Sequence, residues 1–406
     1  MGQVLIGKVD TFDGKTVGRM KDGVICKNML DRARDTRMFR WSIVTVLLLV
    51  TGCAQESGGT SEEAGPEAVR EPIRRVAFGS CAFQWEPQPI HRAVVAAEPD
   101  LYLLLGDAIY ADFDGKQTFD VTEDSLRAEW GKLAANEDFR HLRDNVPILA
   151  TWDNHDYGKH DGGAEFPLKE VSRQIFLDFF GEPADSERRS TPGVYDAEIH
   201  GPPGRRVQLI LLDTRFFKGP YVLAERAEGA GGSRGKYAPN EDESVTLLGE
   251  EQWRWLGAQL RQPAEVRLIA SSTQIVANSK GMDEWGNYPH ERRRLFDLIG
   301  ATEAEGVVLL SGNVHFAEIS QTDEGPYPLI DFTSSGLTHV NEEYPRAPNP
   351  YRVAGPFVEP NFGLVEIDWE ATPSPLINLR AVDVDGTVTF EQQVLLATLS
   401  PRGEAP

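Results

Sequence analysis

Basic residues are scarce in this chain. Its 406 residues hold 41 Lys and Arg against 63 Asp and Glu, a formal net charge of −22. That shortage argues against a nucleic-acid-binding surface, because phosphate backbones are held by Lys and Arg. Long apolar runs are also missing. The longest, 41–50, reads Trp-Ser-Ile-Val-Thr-Val-Leu-Leu-Leu-Val and is too short to cross a bilayer as a helix. Cysteine is rare, with three residues, Cys26, Cys53 and Cys81. What remains looks like an ordinary globular protein: 40% hydrophobic and 26% charged residues, in a length that suits two average domains or one large α/β domain.

The short apolar run has a different use. Arg37 and Arg40 precede it, no charge recurs before Glu56, and Val50-Thr51-Gly52-Cys53 closes it. Basic flank, apolar stretch, small residues and a cysteine, in that order, make a secretory signal that resembles a bacterial lipobox. Cys53 is the expected lipidation site, and the membrane is the expected partner through that lipid. Met38 is a natural start for such a signal, which leaves 1–37 as an extension or a wrongly assigned start, 38–52 as signal peptide and 53–72 as a polar, aperiodic tether. The neutral Ala54 resembles lipoproteins sent to the outer membrane, so an exported lipoprotein of the outer membrane, periplasm or cell surface is expected. The competing reading is a short buried helix with an incidental cysteine. Residues 1–52 carry nine basic and five acidic groups, a net +4, so a chain beginning at Cys53 carries −26. Cys81 is then a lone thiol in an exported protein, either a small buried hydrophobe or a group with chemistry to do.

From residue 73 to 398 the pattern is one α/β domain. Apolar runs at 76–78, 101–105, 146–152, 207–212, 266–270 and 307–310 suit strands buried on both faces. Helical patterns fall between them at 89–97, 123–143, 168–180, 246–260 and 289–304. The carboxy-terminal part reads as β, with Asp385-Gly386 as a hairpin turn, and 229–235 reads as a mobile loop by its glycines. No internal repeat appears. Each apolar run ends in chemistry, and in open α/β sheets ligands bind beyond the carboxyl ends of the strands.

Three of these strand ends concentrate candidate ligands. Gly106-Asp107-Ala108-Ile109-Tyr110 offers a carboxylate after a sharp turn, a hard donor that two metals can share. Trp152-Asp153-Asn154-His155-Asp156 adds a neutral carbonyl oxygen at Asn154 and a proton donor for a leaving oxygen at His155. Its bland alternative is a capped turn whose Asp and Asn serve their own backbone. Ser311-Gly312-Asn313-Val314-His315 places Asn313 and His315 on one side if the segment is extended, although a satisfied core histidine is the alternative for His315.

Taken in order, Phe78-Gly79-Ser80-Cys81, Gly106-Asp107-Ala108-Ile109-Tyr110, Trp152–Gly158, Asp213-Thr214-Arg215 and Ser311–Glu318 resemble the PhoD-type (alkaline phosphatase D) family of calcineurin-like metallophosphoesterases. The resemblance spans about 74–368. It implies a sandwich of two sheets flanked by helices (α/β/β/α), with metals at one sheet edge and hydrolysis of phosphate esters by a metal-activated water or oxo group. The broader superfamily opens with Asp-x-His, which is absent here; Gly79-Ser80-Cys81 stands in its place, as in the PhoD branch. By the resemblance Cys81 and Tyr110 are ligands of Fe(3+), Asp107 is the bridging carboxylate, Asn154 binds a second metal, Ca(2+) in that branch, and His155 meets the phosphate or leaving group. Other divalent metals remain open. Asn313 and His315 complete the donor set. Arg215 either grips a phosphate oxygen in bidentate fashion or forms a structural salt bridge with a nearby Asp. Two departures stand out: Asn154 and Asn313 each replace an Asp usual in the family, removing a negative ligand from the second metal.

The expectation is therefore a monomeric, exported phosphoesterase acting on phosphate esters, with monoesters favoured. A phosphodiesterase or phospholipase D-like enzyme on lipid or polymer diesters is the runner-up. An inactive binding lipoprotein that kept the fold is the reading from another class.

Overall fold

The computed structural model describes residues 71–225 and 235–401. The segments expected to be signal and tether, with the expected lipidation site Cys53, lie outside them except for residues 71 and 72, as does most of the 229–235 stretch, of which Gly235 alone is described.

Two sheets form the centre. One is ordered β15-β14-β13-β1-β2-β3, built from β1 (Arg75–Gly79), β2 (Leu101–Leu105), β3 (Ile148–Thr151), β13 (Asn361–Asp368), β14 (Leu376–Asp383) and β15 (Val388–Leu395). The other is ordered β12-β10-β11-β9-β8-β5-β4, from β4 (Asp196–His200), β5 (Val207–Leu211), β8 (Val266–Ser271), β9 (Val307–Ser311), β10 (Ala317–Thr322), β11 (Leu329–Ser334) and β12 (Arg352–Phe357). A two-residue hairpin pairs β6 (Val222–Leu223) with β7 (Tyr237–Ala238).

The period of two along each strand explains why the sheets stack. Val76 and Phe78 of β1, and Leu103 and Leu105 of β2, enter the core shared with the second sheet. There Phe78 meets Phe332 edge to face at 5.0 Å. The intervening Ala77, Tyr102 and Leu104 face the other way, into a second core. That core holds Ile90 of α1 (Ile90–Ala96), Leu126 of α2 (Glu123–Ala135), Phe139 of α3 (Glu137–Asn145), Tyr157 of the short α4 (Asn154–Tyr157) and Phe176 of α5 (Lys169–Phe179). On the far side, α6 (Gly249–Leu260) and α7 (Pro289–Ala301) set Leu256, Leu295 and Phe296 against the second sheet. Each such buried side chain is worth roughly 1.5–3 kcal/mol of apolar burial, and the result is the layered sandwich expected from the sequence.

Two expectations need correction. The pattern 123–143 is not one helix: Asn136 is extended, and its side chain accepts from Asp138 N and Phe139 N at 3.1 and 3.2 Å, so the amide caps α3 instead of continuing α2. The segment carrying Asn313 and His315 is not extended either. β9 stops at Ser311, and both residues have positive φ, 70° and 63°.

In the first sheet β1, β2 and β3 run parallel, and in the second β5, β8, β9 and β11 do. Their carboxyl ends converge. Thr151 Oγ1 donates to the Leu212 carbonyl at 2.8 Å, Trp152 Nε1 to Asp213 Oδ1 at 2.8 Å, and Thr214 and Ser272 share a hydroxyl contact at 2.6 Å. Among the described residues no helix is long and apolar enough to cross a membrane.

Candidate metal centre

The centre grows from the loops after β1, β2, β3 and β9. After β2 the chain must turn at once. Gly106 takes φ +100°, and a Cβ there would lie 2.5 Å from Asp153 Cβ and 2.6 Å from Asp153 N, so a larger residue would push the two loops apart. The turn delivers Asp107 beside Cys81. The Cys81 thiol lies 3.6 Å from Asp107 Oδ2 and 3.2 Å from Ser335 Oγ. One donor atom each of Cys81, Asp107 and His315 lies within 4.8 Å of the other two, and all three residues are buried. Tyr110 adjoins them. Its hydroxyl is held above its ordinary pKa first by burial and then by Cys81 and Asp107.

The backbone reflects the demand for this geometry. Cys81, Asp107, Asn313 and His315 all have positive φ, between 49° and 70°. Asn, Asp and His tolerate that region better than most residues, and Cys gains nothing from it. Such residues cost on the order of 1–3 kcal/mol each where strained, and they cluster where function fixes the backbone.

Asp156 ties the turns together. Its carboxylate accepts from Asp107 N at 2.5 Å, Ile109 N at 3.0 Å and Asp153 N at 2.9 Å. The capped-turn reading of the Asp153–Asp156 stretch thus holds for Asp156. Asp156 serves backbone, while Asn154 and His155 open onto a cavity of about 390 Å³. Asn313, His315, Asp161, Lys236, Tyr237 and Tyr344 also line it.

His155 is held by Asp112, with Nδ1 2.5 Å from Asp112 Oδ1. Burial would hold this imidazole down, but Asp107, Asp112 and Asp153 outweigh it and push its pKa up to about 9. The sequence motifs do not single out Asp112. The one signal for it is its place two residues beyond Tyr110 in the loop after β2.

Arg215 does not face this cavity among the described lining residues. Its side chain is fully buried, with Nε donating to Asp153 Oδ1 at 2.6 Å and Nη2 shared between Asp153 and Asp283. The structure therefore gives Arg215 the salt-bridge place and not an open phosphate grip.

The donor chemistry fits a metal. Asn154 Oδ1, His315 Nδ1 and Asp153 Oδ2 are buried without a hydrogen-bond partner, and buried polar atoms are seldom left so. Burial first, then Asp107, raises the Cys81 thiol well above its ordinary pKa. A cation would reverse that, since a coordinating thiol gives up its proton.

A model of the PhoD-like phosphatase family matches residues 76–347, a stretch that contains every candidate ligand. The chain belongs to the PhoD-like phosphatase family. Alkaline phosphatase D of Bacillus subtilis (strain 168) is 24% identical over 301 residues, 65% of this chain and 50% of the relative. The chain thus spans about half the length of that curated relative. A solved structure of PhoD shares the fold, with a TM-score of 0.59 at 18% identity over 80% of this chain and 72% of the other. GAP50, the anchor in the inner membrane complex of Plasmodium, aligns over 80% of this chain and 90% of its own at 11% identity and a TM-score of 0.48.

Proposed function

We propose that the chain is a metal-dependent phosphoric ester hydrolase acting on phosphate esters, monoesters foremost, outside the cytoplasm and anchored by lipid on Cys53. The observation that carries the reading is the meeting of Cys81, Asp107 and His315 within 4.8 Å, with His155, whose ring is paired with Asp112, lining the same cavity as His315. Family membership supports the reaction class.

Cys81, Tyr110, Asp107 and His315 would hold the first metal, with Asn154 and Asn313 offering oxygens to a second. Fe(3+) suits the thiolate and phenolate, and Ca(2+) suits neutral and carboxylate oxygens. Bound there, the metals supply an activated water and positive charge against the phosphoryl oxygens.

The remaining roles belong to the chain. Asp112 fixes the His155 ring through Nδ1, which leaves Nε2 to carry the proton that a departing alkoxide needs. Arg215 keeps Asp153 and Asp283 in place from below. Asn313 Nδ2 donates to the Asp283 carbonyl at 3.1 Å, so this buried salt bridge also steadies Asn313.

The test is metal analysis of the purified protein beside assays on a chromogenic monoester and a chromogenic diester, for the wild type and Cys81→Ala. The expected result is bound transition metal in the wild type, lost with activity in the variant, and a faster monoester reaction. A metal-free wild type with a fully active Cys81→Ala variant would overturn the assignment.

A further inference from the structure

Cys81, Tyr110 and His315 come from three separate strand ends, and one residue outside the recognised motifs touches all three. His339 lies beyond the carboxyl end of β11. Its backbone N–H donates to the Cys81 carbonyl at 3.1 Å. Its Nδ1 lies 2.8 Å from the Tyr110 hydroxyl. Its ring packs on His315 with centroids 3.7 Å apart.

The residue is itself well anchored. The N–H groups of Leu337 and Thr338 donate to the carbonyls of Ser80 and Cys81 at 3.1 and 3.2 Å. Phe83 N donates to Thr338 Oγ1 at 2.8 Å. The Phe83 ring stacks on His339 at 4.3 Å, and Trp85 in turn stacks on Phe83 at 4.9 Å.

From this we propose that His339 is a positioning residue that holds Cys81, Tyr110 and His315 together as one donor set for a metal ion. The inference rests on the metal reading above and goes beyond it by naming the residue that sets the geometry. Two of the residues it holds, Cys81 and His315, sit at positive φ, so their side chains need support from outside their own loops. Outer-shell partners of this kind orient the ligands, and losing one typically costs about 10–100-fold in metal affinity. Two interactions carry the hold and can be separated. His339→Phe keeps a ring against His315 and loses the Tyr110 contact. His339→Gln keeps a polar group near Tyr110 and loses the ring.

The full-length protein is stripped with a chelator and titrated with Co2+ alone, followed by visible absorption. The thiolate-to-cobalt band reports Cys81, and the ligand-field bands report coordination geometry. Thermal melting runs in parallel. In both variants Co2+ binding should weaken about 10–100-fold, with altered bands in the cobalt-loaded form. A role confined to stability would lower the melting temperature and leave the bands alone, and that result overturns the proposal. So does wild-type Co2+ affinity in both variants. If one variant fails to fold, the other decides. A wild type that shows no thiolate-to-cobalt band brings down the metal reading itself, and the role of His339 with it. That outcome is distinct from a normal wild type with unaffected variants.

Discussion

The His155–Asp112 pair makes a prediction that depends on substrate chemistry. The perturbation is Asp112→Asn, which keeps size and shape and removes the charge facing His155 Nδ1 at 2.5 Å. A hydrogen bond to a charged group contributes about 1.5–3 kcal/mol, and each 1.36 kcal/mol in a barrier is tenfold in rate. If that bond holds the imidazole ready to protonate the leaving oxygen, its loss slows the step by roughly 10–150-fold. The penalty should fall on alkyl phosphates, whose alkoxide leaves poorly without a proton. A nitrophenyl phosphate, whose leaving group is stable as the anion, should lose less than about tenfold.

A second readout comes from pH. Asp112 helps to hold His155 above its ordinary pKa, so the imidazole keeps its proton further into the alkaline range. Activity on alkyl esters should therefore fall as pH rises through the folded pKa. Asp112 is one of the groups raising that pKa, so the alkaline limb should move to lower pH in Asp112→Asn. The assay is kcat/KM against pH for one alkyl and one nitrophenyl phosphate. Equal losses on both substrates with an unmoved alkaline limb would refute the reasoning, because Asp112 would then serve the fold and not the proton.

The remaining predictions concern stability and location. His91 is buried with an unpartnered Nδ1, and burial lowers its pKa from 6.5 to about 4 against an opposing pull from Asp138. A histidine with a depressed folded pKa contributes stability that is complete above the unfolded pKa and lost as pH falls towards the folded one, here from 6.5 to about 4. The loss is on the order of 3 kcal/mol, so His91→Leu should unfold in urea with a visibly smaller drop between pH 7 and pH 4, and equal drops in both proteins would sink the idea. For location, Cys53→Ser should abolish incorporation of a fatty-acid analogue in a bacterial host. Undiminished labelling would exclude Cys53 as the anchor.

The fold was largely legible because its parallel strands are buried on both faces, and such strands write themselves as unbroken apolar runs ending in polar residues. Strands that mix polarity were harder to see. β11 carries the buried Asp331, whose carboxylate accepts from Ile275 N and Val276 N at 2.8 and 2.9 Å, and a charge inside the run hid the strand. With β11 hidden, the residues just beyond its carboxyl end, Ser335 and His339, drew no notice, although both touch candidate ligands. Cys81, Asp107, Asn154, His155 and His315 were visible because they stand at the ends of legible strands or inside dense motifs. Arg215 was ambiguous for a physical reason. A guanidinium beside carboxylates serves a phosphate or a salt bridge equally well, and only its burial between Asp153 and Asp283 separates the two.

Burial also bears on how an anionic protein would meet the anionic substrate proposed for it. Asp107, Asp153 and Asp156 are each about 1% exposed, and burial is the first cause holding all three above the ordinary carboxylate range. Their surroundings differ. Asp156 is met by three backbone N–H groups, and Asp153 by Arg215 and Ser272. Asp107 receives the His155 N–H at 3.2 Å and the long Cys81 thiol contact, with no basic side chain hydrogen-bonded to it among the described residues. Asp107 is the one of the three carboxylates that adjoins both Cys81 and His315, so a cation there would meet a carboxylate, a thiol and an imidazole together. The net charge of −22 repels a phosphate ester at a distance, but salt confines that field to about 10 Å. Beside the cavity the balance would then depend on what Asp107 and His315 hold. On the proposed function, the acidic groups at this edge would select cations, and the cations would in turn admit the anion.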